Sequence, residues 1–334
     1  MTEITQNTKY KKLIESIDFL YGNARQNVAS AVNIQMLNAY WSIGRNIVEF
    51  EQEGKQKATY GKQLLENLSK DLNLKYGKGF SRSNLHYMRL FYIKYPICET
   101  LSHKLTWSHY FELLKLEDDL ARTFYQKQSE LENWTVRELK RQKKTGLYHR
   151  LASKDKRKLL ELSKKGHIIQ SEKDLIKDPY IFEFLGLTEN NQYSENDLEK
   201  AIINNLQSFL LELGKGFAFI GRQQRITLNN RHYYVDLVFY HIKLKCYVLI
   251  DLKIGEVVHE HIGQMKLYLG YYEKEINDNT DNKPIGIILS QEKDDIMVEY
   301  AMLNDTSKLI VSKYQLYLPK IEELKLKVQE IIDN

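Results

Sequence analysis

Two stretches decide the reading of this chain: HYYVDLVFYH at residues 232–241 and CYVLIDLK at residues 246–253. Both are rich in the β-branched and aromatic residues that favour strands. Each carries one acid, Asp236 and Asp251, inside an otherwise apolar run. A carboxylate buried in a strand costs several kcal/mol unless it is paired or binds a cation. The connection between the two stretches, residues 242–245, suits a hairpin, which would bring the acids together. Lys253 lies two residues beyond Asp251, so strand periodicity puts both side chains on one face. Two carboxylates, a backbone carbonyl and waters make a hard-oxygen site for Mg²⁺. Such an ion would polarise a phosphodiester and help to generate hydroxide, with Lys253 orienting the water and screening developing charge. The acid-x-Lys pattern alone says little, because it recurs at Glu53–Lys55, Glu138–Lys140, Asp281–Lys283 and Glu323–Lys325. Only Asp251–Lys253 sits in an apolar strand that follows another strand bearing a lone Asp.

Around these strands the second half of the chain reads as a mixed sheet flanked by helices. A helix over residues 195–213 precedes strand-like GFAFIGRQ and QRITL, and Asn229–Asn230 makes a hairpin turn. EHIGQMKLYLGYYEKEI then reads as a helix, PIGIILS as a strand, EKDDIMVEYAML as a helix and LIVSKYQLYL as a strand. PKIEELKLKVQEIID closes as a helix with Pro319 near its start. In GQMKLYL, Gln264 and Tyr268 are i and i+4 and share a helical face. Glu199, in the upstream helix, is a further candidate carboxylate, or an exposed first-turn acid favoured by the helix dipole. Arg222, in the GRQQR run, can reach a phosphate or form a strand edge.

The first half reads as helices, over residues 9–22, 24–52 and 62–73, then a Gly-rich break and a capped helix from Ser81. The last pair is a helix-turn-helix candidate. Its second helix would expose Arg82, Asn84, His86 and Arg89, side chains suited to base edges, or would be an ordinary bundle helix. Trp107 and His109 read as cap and core. Residues 136–158 form a basic centre that includes Arg137, Lys140, Arg141 and Lys144, suited to phosphates or to a solvated linker. The boundaries expected are a helical, nucleic-acid-binding domain over 1–158, a connecting segment over 159–190 and a catalytic domain over 191–334.

Composition narrows the class. The chain has 334 residues, 43% hydrophobic and 28% charged, ordinary values for a folded protein. Cys98 and Cys246 are too few for a disulfide framework. No apolar run approaches the roughly 20 residues of a membrane span, and the first residues carry no secretory pattern, so a cytoplasmic protein without membrane contact is expected. The formal charge of +5 averages two unlike parts. Through Asp174 there are 31 Lys+Arg against 20 Asp+Glu, or +11; beyond it there are 18 against 24, or −6. Such asymmetry suits a polyanion-binding part joined to an acidic one.

The order Glu199, Asp236, Asp251-x-Lys253, Gln264-x-x-x-Tyr268 resembles the PDDEXK nuclease superfamily in its variant with a Q-x-x-x-Y helix. ELGKGFAFIGRQ, VDLVFYH, LIDLK and GQMKLYL resemble the bacterial YhcG-like family more closely. LNAYWSIGRNIVEFEQ, YGKGFSRSNLHYMRLFY, LTWSHYFELLK and NWTVRELKRQ resemble that family's N-terminal domain. The resemblance implies an α/β restriction-endonuclease-like core behind an all-α N-terminal domain, and phosphodiester cleavage with Mg²⁺ or Mn²⁺. It implies Asp236, Asp251 and Glu199 as metal ligands, Lys253, Gln264 and Tyr268 as their catalytic company, and DNA as the expected partner. Asp251 stands where Glu is usual, one methylene shorter. Two other readings stay open: a non-catalytic nucleic-acid binder on the nuclease scaffold, and a partner-dependent subunit of a defence or mobile-element system. A homodimer would suit paired cuts on duplex DNA.

Overall fold

The computed structural model describes residues 3–53, 63–97, 101–102, 104–152, 156–175, 177, 179–187, 193–301, 307–320 and 322. Compact units span Met1–Lys140 and Arg141–Asn334.

The first unit is helical. Helix α1 (Glu3–Glu53) runs unbroken through the stretch where two helices were expected. The reason is that Gly22 costs a helix only about 1 kcal/mol and no proline adds to it. After α2 (Leu64–Tyr76), Gly77 turns the chain at φ 80°, a backbone conformation that favours glycine. The Ser81 side chain then accepts from the Asn84 N–H to start α3 (Arg82–Lys94). Leu85, Met88 and Phe91 form the fully buried stripe of α3. Leu85 and Met88 pack with Ile47 of α1, and Gly44 lets the two helices meet: a Cβ there would lie 2.0 Å from the Met88 carbonyl oxygen. Helix α4 (Trp107–Leu113) opens with a capping box between Thr106 and His109. The His109 Nε2 is 2.9 Å from the Trp134 carbonyl, and the Trp107 Nε1 donates to Asn84 at 3.1 Å. Trp107 and His109 are thus cap and core, as their sequence context suggests. Helix α5 (Asp119–Glu132) follows, capped by Asp118, then α6 (Val136–Lys144), which carries the basic run.

The second unit contains α7 (Leu147–Ala152), α8 (Lys156–Lys165), the two-residue strand β1 (Tyr180–Ile181), α9 (Glu195–Asn204) and α10 (Leu206–Leu213). Then come β2 (Phe217–Leu228), β3 (Arg231–His241), β4 (Cys246–Glu256), α11 (His259–Tyr271), β5 (Ile285–Glu292), α12 (Asp295–Ala301) and β6 (Lys308–Gln315). The sheet order is β1-β6-β5-β4-β3-β2. β2, β3 and β4 form an antiparallel meander, and β5, β6 and β1 extend it in parallel. The turn at Asn229 and Asn230 has both residues at positive φ, 47° and 60°, which asparagine tolerates. The expected separate strands before that turn are one strand, β2, with a bulge between Phe219 and Gly221. Both sheet faces are covered. Leu198, Ile202, Phe209 and Leu213 of α9 and α10 pack one face against Leu237, Phe239, Ile250 and Leu252. Ile262, Met265, Tyr268 and Leu269 of α11 pack the other against Val238, Leu249 and Ile288. The closing helix expected beyond Pro319 lies outside the described residues, apart from Lys320 and Glu322.

The division at Lys140/Arg141 falls earlier than the composition suggests. Its physical basis is a buried acid, Glu212 of α10. Arg150 Nη1 reaches Glu212 Oε1 at 2.6 Å, with both side chains fully buried. Arg141 Nη1 lies 3.2 Å from Glu212 Oε2, and its Nε and Nη2 grip both oxygens of Glu183 at 3.0 and 3.1 Å. The Ile181 N–H donates to Glu212, and the Lys177 ammonium donates to its carbonyl. Burial works against this carboxylate, but Arg150, Lys177 and Arg141 outweigh it and bring its pKa down to about 2. Residues 141–187 are thereby tied to the sheet unit.

Candidate active site

The site forms where the β3–β4 ladder ends. Paired residues run from His241↔Cys246 to Leu237↔Ile250. The next residue on each strand is an aspartate: Asp236 on β3 and Asp251 on β4. In place of a further backbone pairing, Asp236 Oδ2 accepts the Leu252 N–H at 2.8 Å. Asp251 is 1% exposed, and Asp236 is half-buried.

Lys253 shares the face of Asp251, as its spacing requires. Its Nζ stands 2.9 Å from Asp251 Oδ2 and 3.6 Å from Glu195 Oε2. Helix α11 closes the same face. Gln264 donates to the Tyr268 hydroxyl, which in turn donates to the Tyr234 carbonyl at 2.9 Å. The i,i+4 pair is therefore a brace that holds β3 two residues short of Asp236. Burial pushes the Tyr268 hydroxyl up to about 12, against the opposing effect of its hydrogen bond with Gln264, so it stays protonated and serves as a donor.

Electrostatically, the aspartate pair is under tension. Burial, then the charge of Asp251, lifts Asp236 to about 7. Burial also raises Asp251 above the ordinary carboxylate range, against the pull of Lys253. Burial opposes the Lys253 ammonium too, but Asp251, Glu195 and Asp236 together hold its pKa above the usual lysine value. Lys253 is a fixed cation here and not a base.

Two residues were missed in the sequence. Gln223 of β2 adopts φ 46° and donates through one amide nitrogen to both Glu199 and Asp236, the latter at 3.0 Å. The register of β2 with β3, Arg222↔Leu237 and Gln224↔Val235, puts Gln223 across from Asp236. A glutamine in the left-handed region is strained, and here the strain aims the amide between two acids. The polar run GRQQR, which breaks strand alternation, was its only signal. Glu195, at the first turn of α9, accepts the Ile254 N–H at 3.4 Å. Nothing local in the sequence marks that contact.

Glu199 is buried, and burial raises its pKa. It joins Asp236 through Gln223, and Arg222 lies 3.8 Å from it on the outer side. Among the described residues no group of three His, Cys, Asp or Glu is gathered around one metal position. The two aspartates nevertheless suit a divalent cation. They are hard-oxygen donors pressed together out of water, and Asp251 Oδ2 is buried without an aligned hydrogen bond.

The residues expected to touch nucleic acid fare differently. Arg82 pairs with Glu66 at 3.6 Å, and Arg89 with Glu51 at 2.6 Å. The Asn84 amide donates to the Gly79 carbonyl while accepting from Trp107. Lys140 lies 3.5 Å from Glu112. Arg141 makes three carboxylate contacts, which hold its guanidinium to Glu183 and Glu212. Arg137 and Lys144 are exposed, and Arg222 is half-exposed.

Residues 173–329 match the YhcG PDDEXK nuclease domain, and residues 16–150 match the DUF1016 N-terminal domain. The protein of Escherichia coli (strain K12) named "Putative nuclease YhcG" is 37% identical over 350 residues, spanning 94% of this chain and 92% of that protein. A repair endonuclease from Pyrococcus abyssi, known as a crystal structure, aligns at 21% identity with a TM-score of 0.26, over 40% of this chain and 50% of its own. On the two domain matches and the full-length relative, the chain belongs to the YhcG family, a DUF1016 N-terminal domain joined to a PDDEXK nuclease domain.

Proposed function

We propose that this nuclease hydrolyses phosphodiester bonds of DNA in the cytoplasm and depends on a divalent cation, Mg²⁺ or Mn²⁺. The observation that carries the reading is the buried pair Asp236 and Asp251 at the ladder's end, with Lys253 held against it. Asp236 and Asp251 would hold the ion, which when bound supplies Lewis acidity toward the phosphate and lowers the pKa of water. Occupancy would offset the burial that raises both carboxylates and, at Asp236, the charge of Asp251 as well.

The chain's own residues do the rest. Lys253, pinned by Asp251, presents a permanent positive charge to the phosphate as negative charge builds on its oxygens. Tyr268 and Gln264 keep β3 in place, and Gln223 fixes Asp236 against Glu199. A water oxygen bonds to phosphorus, the ester P–O bond breaks, and the leaving oxygen takes up a proton. Arg222, exposed Arg137 and exposed Lys144 would contact phosphates, with salt-dependent strength. Cutting both strands of a duplex would use two copies of the chain.

The test is cleavage of plasmid, linear and branched DNA and of RNA by the full chain, with Mg²⁺ or Mn²⁺ and with chelator. Asp251→Ala and Lys253→Ala should lose at least about a hundredfold in rate. Equal rates in wild type and both variants, or cutting indifferent to chelator, sink the reading. Salt-sensitive DNA binding without cutting under any metal favours the scaffold alternative.

A further inference from the structure

Every described side chain of α1 from Tyr10 to Val32 is exposed, whereas Leu37, Ile47 and Val48 further along the same helix are buried. Most large apolar side chains of the exposed part share one face, Phe19 being on the opposite side. Leu13, Ile17, Leu20, Tyr21, Val28 and Val32 are between 51% and 65% exposed. At about 100° per residue they fall within an arc of roughly 120°, so they make one stripe about 30 Å long. Ala24 and Ala31 lie on the same stripe. A helix with nothing covering such a face is marginal in water, because most helical stability comes from burying the face. An apolar surface of this extent marks an interaction site.

We propose that this stripe is the dimerisation surface of the protein, covered by the same stripe of a second copy running antiparallel. The pattern is self-complementary in that direction. With Leu20 of each copy opposite Tyr21 of the other, Leu13 falls opposite Val28 and Ile17 opposite Ala24. A two-fold axis brings the same flank of both helices together. On that flank, Asp18 of one copy comes within about half a turn of Arg25 of the other, twice by symmetry. Within its own chain, Arg25 lies 5.9 Å from the Tyr21 ring centroid. A parallel pair, related by a two-fold axis along the helices, would instead put Asp18 of one copy and Arg25 of the other on opposite flanks, so that this charge pairing would be lost. The proposal names the face for the two-copy arrangement put forward above and rests on that reading only for its use in paired cuts.

Sedimentation of the full chain without metal or nucleic acid tests it, and so reads association apart from cleavage. Wild type should be a dimer at micromolar concentration. Ile17→Glu with Leu20→Glu should be monomeric, with unchanged helical circular dichroism in the rest of the chain. Asp18→Arg and Arg25→Asp should each raise the dimer Kd about tenfold, and the double exchange should restore it to within about threefold. A monomeric wild type, or a dimer indifferent to the Ile17/Leu20 change, overturns the proposal. So does failure of the double exchange to restore affinity, or a monomer that binds anionic lipid vesicles through this face.

Discussion

At the scale of single residues, the site is a set of charges whose positions are set by backbone. Asp236 and Asp251 were legible because a lone acid in an apolar strand breaks the pattern around it, and Lys253 followed from the two-residue period. Gln223 and Glu195 were not, because each reaches the site from another element and depends on a bulge and a helix end that no local pattern reveals. Gln223 carries a specific expectation. Its amide holds Glu199 and Asp236 together, so Gln223→Ala should lower the cleavage rate by about 10–100-fold, as loss of outer-shell partners does. Its φ of 46° suits glycine better than alanine. Gln223→Gly should therefore melt at or above the temperature of Gln223→Ala while being equally impaired. Calorimetry with cleavage kinetics checks both; full activity in either variant would remove Gln223 from the site.

At the scale of elements, legibility followed periodicity. The strands around the aspartates, the α11 helix and the Ser81 cap could all be read off, since each depends on its own residues. The continuity of α1 could not, because Gly22 looks like a break yet costs a helix only about 1 kcal/mol. Nor could the fate of the basic run on α6: sequence displays the charge of Arg141 but not the buried Glu212 that claims it. The α1–α3 contact invites a direct test. A Cβ at position 44 would meet main-chain atoms of Met88, at 2.0 Å from the oxygen, and backbone cannot swing aside as a side chain can. Gly44→Ala should destabilise the N-terminal unit by about 1–3 kcal/mol or more, despite the better helix propensity of alanine. Chemical denaturation followed by Trp41 and Trp107 fluorescence would show it. An unchanged midpoint would mean that the helices are held less closely.

For the molecule as a whole, the charge split acquires a more exact meaning. Part of the positive excess is not available to any ligand, because Arg141 and Arg150 neutralise Glu212 inside the sheet unit. That node also sets acid tolerance. The folded pKa of Glu212, about 2, lies below its ordinary value of 4.5. Its stabilising contribution is thus complete above about pH 4.5 and is lost as pH falls toward 2. The loss is of order 3 kcal/mol across that window. Thermal melts between pH 6 and pH 2.5 should show this limb. Glu212→Gln should lower the melting temperature at pH 7, since it strands Arg150, and should flatten the acid limb. Parallel curves for the two proteins would assign acid sensitivity elsewhere.

The end of the β3–β4 ladder has one more consequence, for how the sheet finds its register. Side chains alternate faces along a strand, so a one-residue slip of β4 would exchange every face at once. Asp251 and Lys253 would then press into the oily layer under α9 and α10, while Leu252 would take the place of Asp251 beside Asp236. Both errors are heavily penalised. The residues proposed to cut nucleic acid would therefore also proofread their own assembly, because the register that folds the sheet is the register that sets them side by side.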